Sequence, residues 1–159
     1  MLDAIAWAEG TDVDPDRGYG RVVRGTVISS PNNPALVGQS NVTITNFSQH
    51  PNILVQVTAT ITSTAAGRYQ FLYRTWTGLN LSDFGSINQD IGAVMLLQQA
   101  GAITPLLNGN VTQAASNASG TWASLPNSPY GQPTRAMTDF QNAYNNALTA
   151  CQNRSVPIR

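Results

Sequence analysis

Apolar positions along this chain change period twice, and those changes divide it into a helix, a strand-rich stretch and a helical remainder. Leu2, Ile5, Ala6 and Glu9 fall at i, i+3, i+4 and i+7, so a helix over residues 1–9 carries a carboxylate on its apolar face. Gly10 follows directly and is the residue type that closes a helix at its C-terminus. Asp12 to Gly20, with Asp14-Pro15-Asp16 and Gly18-Tyr19-Gly20, reads as a loop. Alternating β-branched residues then predict strands over Arg21–Ile28, Val42–Thr45 and Ile53–Ile61. Between the first two, Ser29 to Thr43 is rich in turn formers and is expected to be a surface segment that can be shortened without unfolding. Beyond Ser63 the period is helical again, with helices predicted over Tyr69–Leu79, Ile87–Gln99, Asn110–Trp122 and about residues 135–151. Ser63 or Thr64 is expected to cap the first of these and Ser86 the second, while Gly101 closes the second. A short tail from 152 to 159 is expected to be irregular. This order, a small β region set into a helical chain, is an α+β pattern.

Composition narrows the chemistry. The 159 residues suit one domain, read as 1–151 with its β-rich part at about 21–62. Only 10% are charged, against an ordinary value of about a quarter. Net charge is zero, lysine is absent and the eight arginines form no basic block, so no nucleic-acid partner is expected. With one cysteine, Cys151, and one histidine, His50, no disulfide framework, metal site or cofactor is expected. No stretch reaches membrane-spanning length and none reads as an export signal.

Glu9 is the only glutamate. At the end of an apolar helix face it would be partly desolvated and near the negative end of the helix dipole, and both effects raise a carboxyl pKa. That is the condition for donating a proton to a leaving group near neutral pH. Taken alone, the residues leave open a surface glutamate at a frayed helix end. His50 before Pro51 reads as a turn residue, and Asp90 as a helix cap or dipole partner.

Three motifs go further. Ala6-Trp-Ala-Glu-Gly-Thr-Asp12, Ser63-Thr-Ala-Ala-Gly-Arg-Tyr-Gln70 and Trp122-Ala-Ser-Leu-Pro-Asn-Ser-Pro-Tyr-Gly-Gln132 occur in this order. They resemble the phage lambda type of endolysin, a lysozyme-like lytic transglycosylase family that cleaves bacterial peptidoglycan. The resemblance covers nearly the whole chain, apart from residues 29–43 and the low charge. It implies a lysozyme-like α+β domain, mainly helical, with a small antiparallel sheet inserted after the first helix.

It also implies roles. Glu9 matches the single catalytic acid, and Gln70 the glutamine beside the bound sugar. Tyr69 would wall the substrate site, with Tyr130 and Gln132 in a loop forming one lip and Ile53–Thr62 the other. Trp7, Trp76 and Trp122 are expected in the core. The expected reaction breaks the bond between N-acetylmuramic acid and N-acetylglucosamine and closes a 1,6-anhydro ring, with one carboxylate serving as acid and then base. A hydrolysing muramidase on the same fold and a non-catalytic wall-binding virion module are the alternatives. The expected partner is the glycan strand of the wall in the periplasm, met without membrane insertion, by a monomer or a domain of a larger virion protein. Release by a holin or delivery by a virion would bring it there.

Overall fold

The structure is a computed structural model that describes residues 1–14 and 16–154. Two compact units make up the chain: residues 1–10 with those from Ala93 onward, and Thr11–Gly92.

In the first unit, α1 (Leu2–Glu9) buries Ala4, Ile5, Ala6 and Ala8 and ends at Gly10, whose φ of 71° places it in the left-handed region. The Gly10 N–H donates to Trp7 O at 3.0 Å, so the turn after Glu9 is closed by backbone alone. α1 packs against the long C-terminal helix. The unit's buried apolar residues are mostly alanine, including Ala93, Ala102, Ala114, Ala115 and Ala118, with Leu97, Trp122, Leu125 and Phe140. Small side chains let helices approach closely, and the large ones fill what remains.

The second unit holds a three-stranded antiparallel sheet in the order β1 (Thr26–Ser29), β2 (Leu54–Gln56), β3 (Thr62–Ser63). Val27 faces Val55 across the first pair, and a bulge follows between Val27 and Ser29. Val22, Val27, Val42, Ile53 and Val55 form the apolar core beneath it. The predicted strands are all longer than the observed ones. Gly25 has φ of 141°, which breaks Arg21–Ile28 into isolated bridges at Arg21 and Val22 before β1 begins. Val42–Thr45 forms no strand, only the bridge from Thr43 to Arg21. Ile53–Ile61 splits because Val57 N–H returns to Ile61 O at 2.9 Å, making a turn into β3.

Residues 29–43 are largely exposed, as expected, with a 3-10 turn at Pro34–Leu36. They are not a free loop. Gly38 N–H donates to Val27 O at 2.8 Å and Val27 N–H to Gln39 O at 2.9 Å, so the segment covers the outer edge of β1. Shortening it would uncover that edge.

Five helices follow, four of them in the expected order with different limits and α4 additional: α2 (Tyr73–Leu79), α3 (Ser86–Gln99), α4 (Ile103–Leu107), α5 (Val111–Ala118) and α6 (Met137–Arg154). α2 starts four residues late because Gln70 adopts φ of 49°, so Tyr69 and Gln70 lie in a turn and not on the helix with Trp76. The Thr64 hydroxyl accepts from Tyr73 N–H at 3.0 Å and supplies the anticipated cap. α3 begins at Ser86 itself and ends as predicted: Gly101 N–H reaches Gln98 O and Ala102 N–H reaches Leu97 O, the double closure favoured by a left-handed glycine. α4 was not among the predicted helices; its Pro105 falls in the first turn, where the missing N–H is tolerated. α5 stops two residues before Gly120, and α6 runs three residues past Cys151. The expected tail is therefore helical to 154, and its remainder lies outside the described residues. No described helix is long and apolar enough to cross a membrane.

His50 anchors the aromatic cluster of the second unit. It is 3% exposed, with its ring 4.7 Å from Phe84 in an edge contact. Nδ1 accepts from Asn52 N–H at 3.1 Å, so Nε2 carries the proton that it donates to Phe71 O at 2.9 Å. Burial lowers its pKa from 6.5 to about 4. A base with a depressed folded value contributes stability that is present above pH 6.5 and lost as pH falls through about 4.

Candidate active site

Glu9 sits where α1 ends, and the chain supplies its partners from far away in sequence. The Ser124 hydroxyl donates to Glu9 Oε1 at 2.5 Å. Arg135 N–H donates to Ser124 O at 2.9 Å, which ties together the two ends of residues 124–135. The Arg135 guanidinium stacks over Trp7 at 4.7 Å from the ring centroid and reaches Ala8 O with Nε at 3.3 Å. Trp122 is buried as expected, whereas Trp7 is half-buried beneath this arginine.

Desolvation is the largest influence on Glu9 and raises its pKa from 4.5 to about 7, against the opposing pull of Ser124 and then Arg135. Near neutral pH the group is present in both forms. An acid whose folded value is raised contributes stability that is fully present below pH 4.5 and lost as pH rises through about 7. The hydroxyl of Ser124 favours the carboxylate, so Ser124→Ala should move the Glu9 titration further upward. Since Glu9 is the sole glutamate, protein labelled with ¹³C-glutamate gives one side-chain carboxyl resonance to follow. A downward or null shift would remove Ser124 from this account.

The 124–135 loop carries two of the predicted site residues. Tyr130 is 56% exposed, with its hydroxyl anchored to Gly120 O at 2.5 Å and its ring presented to solvent. Gln132 is exposed as well. Ser124 and Arg135 were missed as functional residues, although Ser124 stands inside the third motif.

The other two predicted residues lie in the second unit. Tyr69 is 1% exposed, packs edge-on against Phe71 at 6.0 Å and donates from its hydroxyl to Asp90 Oδ1 at 2.6 Å. So buried a ring offers little surface to a ligand, and its place is structural. Tyr19 donates to the same Asp90 oxygen at 2.9 Å, so Asp90 gathers two phenols instead of capping a helix. Burial and the Asp90 carboxylate both raise the Tyr69 pKa. Gln70 is half-buried, and its Nε2 donates to Gly67 O at 2.9 Å. Its left-handed φ is uncommon for a residue other than glycine or asparagine, and such strain concentrates at functional sites.

Three further carboxylates are held by protein groups. Asp14 forms a bidentate pair with Arg21. Asp16 accepts from Gly18 N–H at 2.9 Å and Gly20 N–H at 2.5 Å. Asp83 accepts from Gly85 N–H at 2.8 Å.

Comparison with known proteins gives the same outline. The Endolysin family model matches residues 1–151. The endolysin of Escherichia phage lambda is 35% identical over 140 residues, which cover 83% of this chain and 78% of that protein. The endolysin of Escherichia phage P2 is 32% identical over 159 residues, covering 92% and 90%. Bacteriophage lambda lysozyme complexed with a chitohexasaccharide matches with a TM-score of 0.78 at 32% identity, over 92% of this chain and 90% of that one. A second structure of lysozyme from bacteriophage lambda matches with a TM-score of 0.68 at 28% identity, over 99% and 93%. The fold is thus the lysozyme-like α+β arrangement that the three motifs implied, and the chain belongs to the endolysin family.

Proposed function

We propose that this cell-wall-degrading enzyme is a lytic transglycosylase in which Glu9 is both the acid and the base. The observation that carries the reading is Glu9 itself, with a pKa raised to about 7 in a chain that has no second glutamate. A group poised near the working pH is suited to both giving and taking a proton. Protonated Glu9 donates to the glycosidic oxygen between N-acetylmuramic acid and N-acetylglucosamine, and the bond from C1 breaks. The Glu9 carboxylate, held by Ser124, then takes the proton of the muramyl C6 hydroxyl, whose oxygen closes onto C1. The product is a 1,6-anhydro sugar and no water is consumed.

A hydrolase needs a second group, since retaining and inverting glycosidases pair two carboxylates. Of the candidate second carboxylates Asp12, Asp14, Asp16, Asp83 and Asp90, all but Asp12 are committed to arginine, backbone or phenol donors, which supports the one-carboxylate route. A glycan substrate is carried over from the similar lambda lysozyme, which is a complex with a chitohexasaccharide. Tyr130 is assigned to stack on a pyranose face, and Gln70 and Gln132 to read hydroxyl and acetamido groups. Tyr69 is assigned to hold the turn that presents Gln70. The enzyme acts on wall glycan in the periplasm, reached by holin release or from a virion.

Digestion of purified sacculi in heavy-oxygen water tests this directly. The expected muropeptides carry an anhydro ring, are lighter than hydrolysed ones by the mass of one water, and take up no label. Labelled reducing-end muramic acid would place the protein among the hydrolases while leaving Glu9 as the acid.

A further inference from the structure

The end of α1 leaves its carbonyl groups unequally satisfied. A helix ends in orphan carbonyls, and here the Gly10 N–H returns to Ala6 O and Trp7 O. Ala8 O, next along, is met by Arg135 Nε at 3.3 Å. The last turn of α1 holds no basic residue of its own, so the cation that complements the negative end of this helix comes from 127 positions away.

Arg135 is exposed, yet three contacts fix it. Its guanidinium lies over the Trp7 ring at 4.7 Å from the centroid, Nε holds Ala8 O, and its backbone N–H donates to Ser124 O at 2.9 Å. One residue is thus fastened on both sides of Glu9: to Ala8, which precedes it, and to Ser124, whose hydroxyl donates to its carboxyl group. A long charged side chain loose in water gives weak ion pairs, because many rotamers must be given up to hold one geometry. Stacked on an indole and tied to a carbonyl, a planar guanidinium has already given them up.

The other titratable groups on the elements packed here are the Met1 amino group and Asp3 at the start of α1, Tyr130 in the 124–135 loop, and Asp139, Tyr144 and Cys151 on α6. Asp3 and Cys151 act on the Met1 amino group, and among the described charged groups only Arg135 acts on Glu9. It does so through space, as a cation beside a desolvated carboxyl, where charges are felt more strongly than in water. We propose that Arg135, stacked on Trp7 and tied to Ala8, is a positioning residue that keeps a fixed positive charge beside Glu9 and stabilises the carboxylate left when Glu9 gives its proton to the glycosidic oxygen. The cation makes Glu9 the stronger acid in the bond-breaking step. The inference rests on the reading of Glu9 as that acid.

The test follows Glu9 in full-length chains labelled with ¹³C-glutamate, beside the rate and half-saturating concentration of sacculi across pH. In Arg135→Gln the Glu9 titration and the alkaline limb of the rate profile should both move upward, by a roughly two- to fivefold change in proton affinity, the range for a partly exposed charge pair. The maximal rate should fall while the half-saturating concentration stays the same. Arg135→Lys keeps the charge and should lie between Arg135→Gln and the wild type. Trp7→Phe, which keeps an apolar ring with a weaker hold on a cation, should raise the titration in the wild-type background and leave it unmoved beside Arg135→Gln.

An unmoved titration in Arg135→Gln overturns the proposal. Equal behaviour of the lysine and glutamine variants also overturns it, because charge is then not the agent, and equal Trp7→Phe shifts in both backgrounds do so because the stack is not. A raised half-saturating concentration with an unmoved limb overturns it as well, since Arg135 would then grip the substrate instead. The titration needs no substrate and is read apart from the chemistry. Sacculi cleared by Glu9→Gln would sink the reading of Glu9 as the acid, and with it the step assigned to Arg135, while the titration still reports whether Arg135 holds its charge beside Glu9.

Discussion

Replacing Glu9 by glutamine is expected to abolish wall cleavage, by at least the ~10²–10⁴-fold that general acid–base catalysis contributes. The amide keeps the volume of the acid, and its oxygen can still accept from Ser124, so the fold remains. What disappears is the proton that leaves with the glycosidic oxygen and the carboxylate that receives the next one. Stability should move in the opposite direction. Above pH 7 the wild-type carboxylate is charged in surroundings that oppose charge, and glutamine relieves this. The shift from 4.5 to about 7 bounds the gain at roughly 3 kcal/mol, closing as pH falls to 4.5. A melting series across that range, beside sacculus turbidity assays, checks both halves. A folded Glu9→Gln chain that still clears sacculi would remove Glu9 from the chemistry.

Gly67→Ala should give a large loss of stability. Gly67 has φ of 79°, and a Cβ there would lie 2.2 Å from Gln89 Oε1 and 2.8 Å from Phe84 Cζ. Gln89 is a fully buried hub: Oε1 accepts from Arg68 N–H at 2.9 Å, and Nε2 donates to Phe84 O at 2.7 Å and Tyr19 O at 3.0 Å. The left-handed backbone costs an alanine about 1–2 kcal/mol. Displacing Gln89 adds about 1–3 kcal/mol for each buried partner left unmet. A drop in melting temperature of roughly ten degrees or more is expected, at about 2–4 °C per kcal/mol for a chain of this size. Gly109→Ala is the control, because Gly109 has a similar φ of 73° and no atom within 4 Å of a built Cβ. Equal losses in the two variants would show that the Gln89 contacts contribute nothing.

The sequence was most informative where a local rule decides the outcome. Three apolar positions in helical register and a glycine located α1, placed Glu9 at its end and gave the direction of its pKa. Gly101 ended α3 for the same reason. Strand limits were less legible, because β-branched runs carry no sign of the φ that Gly25 adopts or of the turn after Gln56. Tyr69 and Trp76 share a helical spacing, yet the left-handed Gln70 interrupts the helix, a choice that depends on Gly67 and on the pull of Asp90 on Tyr69. Ser124 and Arg135 escaped notice because a hydroxyl 115 positions from its carboxylate leaves no periodic trace. Asp90 was misjudged for a similar reason, since its phenol partners come from other parts of the chain.

The fixed tautomer of His50 has a calorimetric consequence when set beside Glu9. Between pH 4.5 and 6.5 the folded chain keeps Glu9 protonated and His50 neutral, and the unfolded chain reverses both. Near pH 5.5, unfolding therefore releases almost one proton and takes up almost one, and these two groups leave no net exchange with the buffer. The contributions of these two groups to the difference between unfolding enthalpies measured in acetate and in a buffer of large ionisation heat should cancel there. In Glu9→Gln the uptake at His50 is no longer balanced, and relative to the wild type the two enthalpies should move apart by nearly the full difference in buffer ionisation heat.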